Sequence, residues 1–169
     1  YGSENSMNAM QELINSYPEV VFVGAAGNDN TSTPFYPAAY TNVIGVGSVD
    51  SDDTKSSFSN YNSGFPSWVD IASPGGFSYG GLLSTVYTND LNSYAKFGGT
   101  SMAAPFAAGL VGLMLSVNPG LTPSEILNCL VSSGVDINQN IGNRIDAYAA
   151  LICALPDTDD PIPAFTASP

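Results

Sequence analysis

Residues 101–117 carry apolar side chains nearly all the way round a helix: Met102, Ala103, Ala104, Phe106, Ala107, Ala108, Leu110, Val111, Leu113, Met114 and Leu115. A helix without a polar face is a central, buried one, so the segment calls for a domain wrapped around it. Pro105 falls near its start, where a missing N–H costs little. Three continuous apolar runs, 20–26, 43–49 and 68–72, read as strands buried on both faces. Residues 82–97 alternate loosely about Asn89-Asp90 and predict a β-hairpin. Residues 4–17 place Met7, Met10, Leu13, Ile14 and Tyr17 on one helical stripe that stops before Pro18. Thr122-Pro123-Ser124-Glu125 has the form of a capping box and opens another helix, and a last short one covers about 146–153. Strands alternating with helices predict an α/β layered domain with a mostly parallel sheet.

The bulk numbers narrow the chemistry. The 169 residues suffice for one domain, and 44% hydrophobic against 11% charged excludes a disordered acidic chain. Fifteen acids against three bases give a net charge of −12, which repels phosphate backbones and anionic headgroups. Nucleic acid and membrane are therefore poor partners, and the charge suits a soluble extracellular or salt-tolerant protein. No run reaches the roughly 18–20 apolar residues of a membrane span. There is no histidine, which removes the commonest general base near neutral pH. Cys129 and Cys153 lack zinc-site spacing; they form one disulfide in an oxidising compartment or remain two buried thiols.

Two segments carry chemistry. In Gly98-Gly99-Thr100-Ser101-Met102-Ala103-Ala104-Pro105, glycines permit close backbone approach before a serine at a helix mouth. Free N–H groups and the helix dipole there favour developing negative charge, as attack by a serine nucleophile requires. On these residues alone, Ser101 is equally the N-cap of a buried helix. Ala25-Ala26-Gly27-Asn28 ends a buried strand, where ligands bind in open α/β sheets. Asn28 could donate to an oxyanion there, or simply be turn chemistry with Asp29 and Asn30.

Together the segments resemble the subtilases, specifically the C-terminal half of the subtilisin-like catalytic domain. Gly99–Pro105 resembles the family's nucleophile motif, and Val23–Asn28 its oxyanion-asparagine segment. Phe35-Tyr36-Pro37-Ala38-Ala39-Tyr40 with Val43–Val49 is similar to its Tyr-Pro loop and next core strand. Phe58-Ser59-Asn60-Tyr61 and Ile71–Gly75 continue in register, so that about residues 1–153 are covered.

The resemblance implies a three-layer αβα fold and a Ser-His-Asp endopeptidase acting on peptides or proteins. It implies Ser101 as nucleophile, Asn28 with the Ser101 N–H as oxyanion donors, and Thr100 assisting nearby. Gly2 would end the strand lining the substrate cleft, and Ala25, Ala26 and Gly27 would wall the specificity pocket. Phe35 stands where many relatives have glycine, so its ring either shortens that pocket, favouring small or medium P1 side chains, or turns into the core. The family packs the helices bearing Cys129 and Cys153 as neighbours, which suits a bridge. Calcium is common in relatives, but the run Asp50, Asp52, Asp53 reads as a solvated loop and no metal ligand is assigned.

The departures matter as much. The family's aspartate and histidine motifs lie N-terminal to this segment and are not among its residues; Asp50, Asp52, Asp53 and Asp70 match no triad position. Phe106 replaces a frequent histidine that is not the catalytic base. Residues 1–154 are read as the C-terminal part of a catalytic domain and 155–169 as a linker or the opening of a PKD-like module. The expectation is a secreted subtilase portion, silent without its Asp/His part. A pseudo-peptidase or binding scaffold of the same fold is the alternative. An α/β-hydrolase esterase is disfavoured, since Ser101 lacks a Gly-x-Ser-x-Gly elbow.

Overall fold

A computed structural model describes residues 4–77, 80–87 and 93–156, with side chains from residue 8 onward. The elements run α1 (Glu4–Asn15), β1 (Phe22–Ala25), β2 (Val43–Val49), β3 (Ile71–Pro74), β4 (Leu82–Thr85), β5 (Tyr94–Phe97), α2 (Thr100–Val117), α3 (Pro123–Ser133), β6 (Asn143–Arg144) and α4 (Ala147–Ala154). Four strands form one parallel sheet in the order β1-β2-β3-β6, while β4 and β5 pair antiparallel as a separate ribbon. The turn expected at Asn89-Asp90 and the linker at 157–169 lie outside the described residues, as do Tyr1 and Gly2. The architecture is α/β.

The fully buried β2 organises the two faces of the sheet. Ile44 and Val46 join Ile71 beneath α2, packed with Ala103, Ala107, Leu110, Val111 and Met114. Alternate residues of a strand point oppositely, so Val49 and Ala72 meet Val69 and Ile141 in a second cluster on the far side. Gly24, Gly45 and Gly47 lie on that side, and a Cβ on any of them would strike Ala38, Trp68 or Ile141. Their lack of side chains lets the covering loops reach the sheet backbone. The second layer outside α2 is α4 with α3, and Cys129 and Cys153 are joined between these two helices.

The ends of the elements follow from their local hydrogen bonds. α3 begins with a complete capping box: Glu125 N–H donates to Thr122 Oγ1, and Thr122 N–H donates to Glu125 Oε2. Its carboxyl is held below the usual range by the Thr122 hydroxyl and then by the Thr122 N–H. β3 starts at Ile71 rather than 68, because Asn62 Oδ1 accepts from both Trp68 N and Val69 N while Asn62 Nδ2 donates to Val69 O. These two residues are paired to a side chain instead of a strand, and the ladder with β2 opens at Val46↔Ile71. The two-residue β6 gave no run in the sequence.

Four expectations need correction. α2 is not covered all round: Pro105, Phe106, Ala108, Gly109, Gly112, Leu113 and Val117 form an exposed face, with Phe106 50% and Leu113 52% accessible. An apolar pattern states that a helix wants cover, not that these 169 residues supply it. By length and hydropathy α2 also matches a membrane span, contrary to the reading that no run reaches one, yet its inner side lies on the sheet. The α1 stripe is likewise open at Met10, Leu13 and Tyr17; Ile14 is buried, and Gln11 exchanges two hydrogen bonds with the Thr41 backbone. Finally, Pro105 is the sixth residue of α2 rather than near the cap. It therefore deprives the Ser101 carbonyl of its helical donor.

Candidate active site

β1 ends at Ala25, and its last link to β2 is Ala26 N–H to Val46 O at 2.9 Å. Beyond it the chain turns at Gly27, whose φ of +101° lies in the region that glycine enters without strain. Asn28 follows, exposed at the strand tip. The amino end of α2 arrives beside it. Gly99 takes the cap position without any side-chain cap bond, and Ser101 sits in the first helical turn with its side chain exposed. Ser101 is thus not the N-cap serine that the sequence alone allowed.

Thr100 joins the two segments. Its N–H and its hydroxyl both donate to Asn28 Oδ1 at 2.9 Å, and its hydroxyl oxygen accepts from Gly27 N–H at 3.1 Å. A backbone N–H only donates, so the Asn28 atom it meets must be the oxygen. The amide nitrogen is left facing outward with no partner among the described residues. It lies 3.4 Å from where a Cβ on Gly99 would stand, an ordinary contact, and glycine is called for there by its φ of +154°. Thr100 is 1% exposed, so its side of the pairing is buried while Asn28 reaches the surface. Asn28 is thereby a pre-oriented N–H donor against the residue pair that precedes Ser101.

The remaining site candidates spread around this point. Ala26 and Gly27 are buried, and Ala25 is half-buried. Phe35 is half-buried with its Cγ 3.2 Å from a Cβ built on Gly27, so the ring lies against the Gly27 backbone. On the other side of Ser101, a cavity of about 350 Å³ is lined by Leu82, Leu83, Phe97, Met102, Pro105 and Phe106. A larger groove of about 720 Å³, walled by Tyr17, Tyr36, Tyr40, Trp68 and Leu127, does not include Ser101 or Asn28.

The acidic residues do not converge. Asp52 Oδ1 accepts from Thr54 N and Oγ1, and its carboxyl is held down by the Thr54 hydroxyl first. Asp53 pairs with Arg144 at 2.6 Å. Asp70 Oδ2 accepts from Gly45 N–H at 2.7 Å, away from Ser101, and burial pushes its carboxyl up despite that bond. Among the described residues no group of three His, Cys, Asp or Glu side chains is placed to hold a metal ion.

Sequence reasoning passed over Asn60. It is completely buried, and its side chain binds Asp29 N, Thr31 N and Ala26 O, on both sides of Asn28. The one available signal was a polar residue set between Phe58 and Tyr61 in a stretch matching the family.

A model of the subtilase family matches residues 2–148. The halolysin-like extracellular serine protease Nep of Natrialba magadii is 42% identical over 145 residues, covering 83% of this chain and 24% of that protein. Thermitase of Thermoactinomyces vulgaris is 38% identical over 135 residues, covering 78% of this chain and 44% of its own. A solved structure of a Pseudoalteromonas arctica protease superposes with a TM-score of 0.74 at 32% identity, covering 91% of this chain and 48% of that one. The chain therefore spans less than half the length of each of these relatives. With the family model matched over most of its length and the Thr100–Asn28 junction at its centre, the chain belongs to the subtilase family.

Proposed function

We propose that this chain is the nucleophile and oxyanion portion of a secreted subtilisin-like serine endopeptidase, completed by a part that carries the triad aspartate and histidine. The observation that carries the reading is the Asn28 amide, turned outward at the mouth of α2 because both Thr100 donors fix its oxygen. Ser101 attacks the scissile carbonyl from the helix N-terminus. The oxyanion formed is met by the Asn28 Nδ2–H and the Ser101 N–H, groups that need not reorganise as charge develops. The proton of Ser101 passes to the histidine of the completing part and then to the leaving amine, giving an acyl-enzyme that water hydrolyses. These residues include no histidine to take that proton.

The open face of α2 supports the same reading. Phe106, Leu113, Gly109 and Gly112 lie uncovered, and a Cβ on either glycine would meet nothing within 4 Å. A further part of the domain, of the size by which relatives exceed this chain, has room to pack there. Ala25, Ala26 and Gly27 form one wall of the P1 pocket, and Phe35 against Gly27 shortens it, so that small or medium P1 side chains are preferred.

The test is labelling by a fluorophosphonate probe together with cleavage of a peptide substrate. The isolated chain should show neither at a useful rate. The chain joined to an Asp/His-bearing subtilase part should show both, and Ser101→Ala should remove them. Rapid turnover by the isolated chain, or full labelling of Ser101→Ala, refutes the assignment.

A further inference from the structure

Among the described residues no strand pairs with the tip that holds Asn28. β1 leaves its ladder at Ala26; beyond it Gly27 N–H donates to Thr100 Oγ1 and Asn30 N–H to Phe58 O, while Asn60 takes peptide groups on both sides of Asn28. Asn60 Oδ1 accepts from Asp29 N–H at 3.0 Å and Thr31 N–H at 3.1 Å, its Nδ2 donates to Ala26 O at 2.9 Å, and its own N–H donates to Gly27 O at 3.0 Å. A side-chain amide carries the same donor and acceptor as a peptide group, so Asn60 replaces the missing strand. Gly27 makes room for it, as a Cβ there would stand 2.5 Å from Asn60 Nδ2.

Asn60 is itself anchored in the core. Ser59 Oγ accepts from Ser48 N–H of β2 at 3.0 Å and donates to Asn60 O at 3.1 Å. Lys55 Nζ closes the outside of the same loop, donating to Asn30 Oδ1, Ser56 O and Ser59 O. Asn28 is thus bracketed: Thr100 holds its side chain from the helix, and Asn60 holds the backbone before and after it from the sheet. A shift of an ångström at such a donor is enough to cost a large part of its effect.

We propose that Asn60 is a positioning residue for the oxyanion donor, acting through the backbone on either side of Asn28. The proposal rests on the peptidase reading above and adds to it a residue outside the nucleophile and oxyanion motifs.

The test is a double-mutant cycle in the complete peptidase that supplies the aspartate and histidine. Asn60→Ala is expected to lower kcat about 10- to 100-fold with KM changed less than about twofold, because the Asn28 amide works only in the transition state. In an Asn28→Ala background, the same substitution should lower kcat less than about threefold. Equal losses in the two backgrounds would mark a merely structural residue and overturn the proposal.

Asn60→Ser, which keeps a shorter donor and acceptor, should recover part of kcat and carries the cycle if Asn60→Ala does not fold. An independent readout uses the 169-residue chain alone. Asn60→Ser should speed amide exchange at Asp29 and Thr31 about tenfold or more and leave β2 amides unchanged; uniform acceleration across the sheet overturns the proposal. A wild-type complete peptidase that cleaves nothing would instead sink the peptidase reading, and the exchange pattern would still decide whether Asn60 holds the loop.

Discussion

Both hydrogen-bond donors of Thr100, its N–H and its hydroxyl, end on Asn28 Oδ1 at 2.9 Å. The pair sets which end of the Asn28 amide faces the site, and buried Thr100 has no water to bond to in its place. Thr100→Val keeps the shape and the N–H but removes the hydroxyl, which also strips Gly27 N–H of its acceptor. Of the two hydrogen bonds lost, the one that holds the Asn28 amide, at about 1–1.5 kcal/mol, predicts a fall in kcat of roughly 5- to 10-fold, and the one from Gly27 N–H adds a loss of stability. Steady-state kinetics on the complete peptidase check it, and KM should stay within about twofold. Asn28→Ala should cost roughly two to three orders of magnitude in kcat, the usual effect of losing one oxyanion-hole donor, as in subtilisin.

Phe35 sets a second expectation. Its ring lies on Gly27, where removing it opens the wall of the proposed P1 pocket. Phe35→Gly should raise kcat/KM for substrates with large aromatic P1 residues by about tenfold or more, on the order of the transfer free energy of a ring entering an apolar site. A peptide library varied at P1 measures this. A native preference for large aromatics would show that the ring does not limit the pocket.

Much of this arrangement was readable in the residues because its signals are local. The β2 run of 43–49 is a strand residue for residue, and the Thr122–Glu125 box caps α3 as its spacing implies. The features that escaped depend on distant partners. Asn60 meets its loop across 29 to 34 positions, and no periodicity reports that a polar side chain will be buried by such bonds. The start of β3 moved because Asn62 captured Trp68 and Val69. The open side of α2 has a different cause: hydropathy describes the demand for cover, and the cover lies outside this sequence in the proposed reading.

The disulfide between Cys129 and Cys153 closes a separation of 24 residues and ties α3 to α4 outside α2. Chain-entropy arguments give about 3 kcal/mol for a loop of that length. Replacing both cysteines by alanine should lower stability by roughly this amount, measured by urea denaturation of the chain. The slope of the transition should rise, because the unfolded chain without the link is less compact.

Asp70 predicts a pH dependence of unusual sign. Burial raises its carboxyl above the usual 3.8, partly opposed by the bond from Gly45 N–H. The native state therefore holds the proton more tightly than the unfolded chain. Its ionised form destabilises the fold above the folded pKa, and this penalty fades as pH falls through that value and is gone below about 3.8. Asp70→Asn keeps an oxygen acceptor for Gly45 without the charge. It should raise the Tm of the chain at pH 7, and the difference from wild type should shrink as pH drops toward 4.

Leu113 and Met114 are sequence neighbours on opposite sides of α2: the first is 52% exposed, the second completely buried against Ile44, Ile71 and Leu130. Substitution separates what each side does. Met114→Ala leaves a cavity in the core and should cost about 2–5 kcal/mol, detectable in the isolated chain. Leu113→Asp places a charge on the open face, where the side chain reaches solvent, and should change stability by no more than about 0.5 kcal/mol. In the complete peptidase the order should reverse in severity, because a carboxylate at 113 would be buried unpaired under the completing part. Activity lost by Leu113→Asp in the complete protein, with the isolated chain still folded, identifies the open face as the covered one. Full activity of that variant would mean that the completing part packs elsewhere.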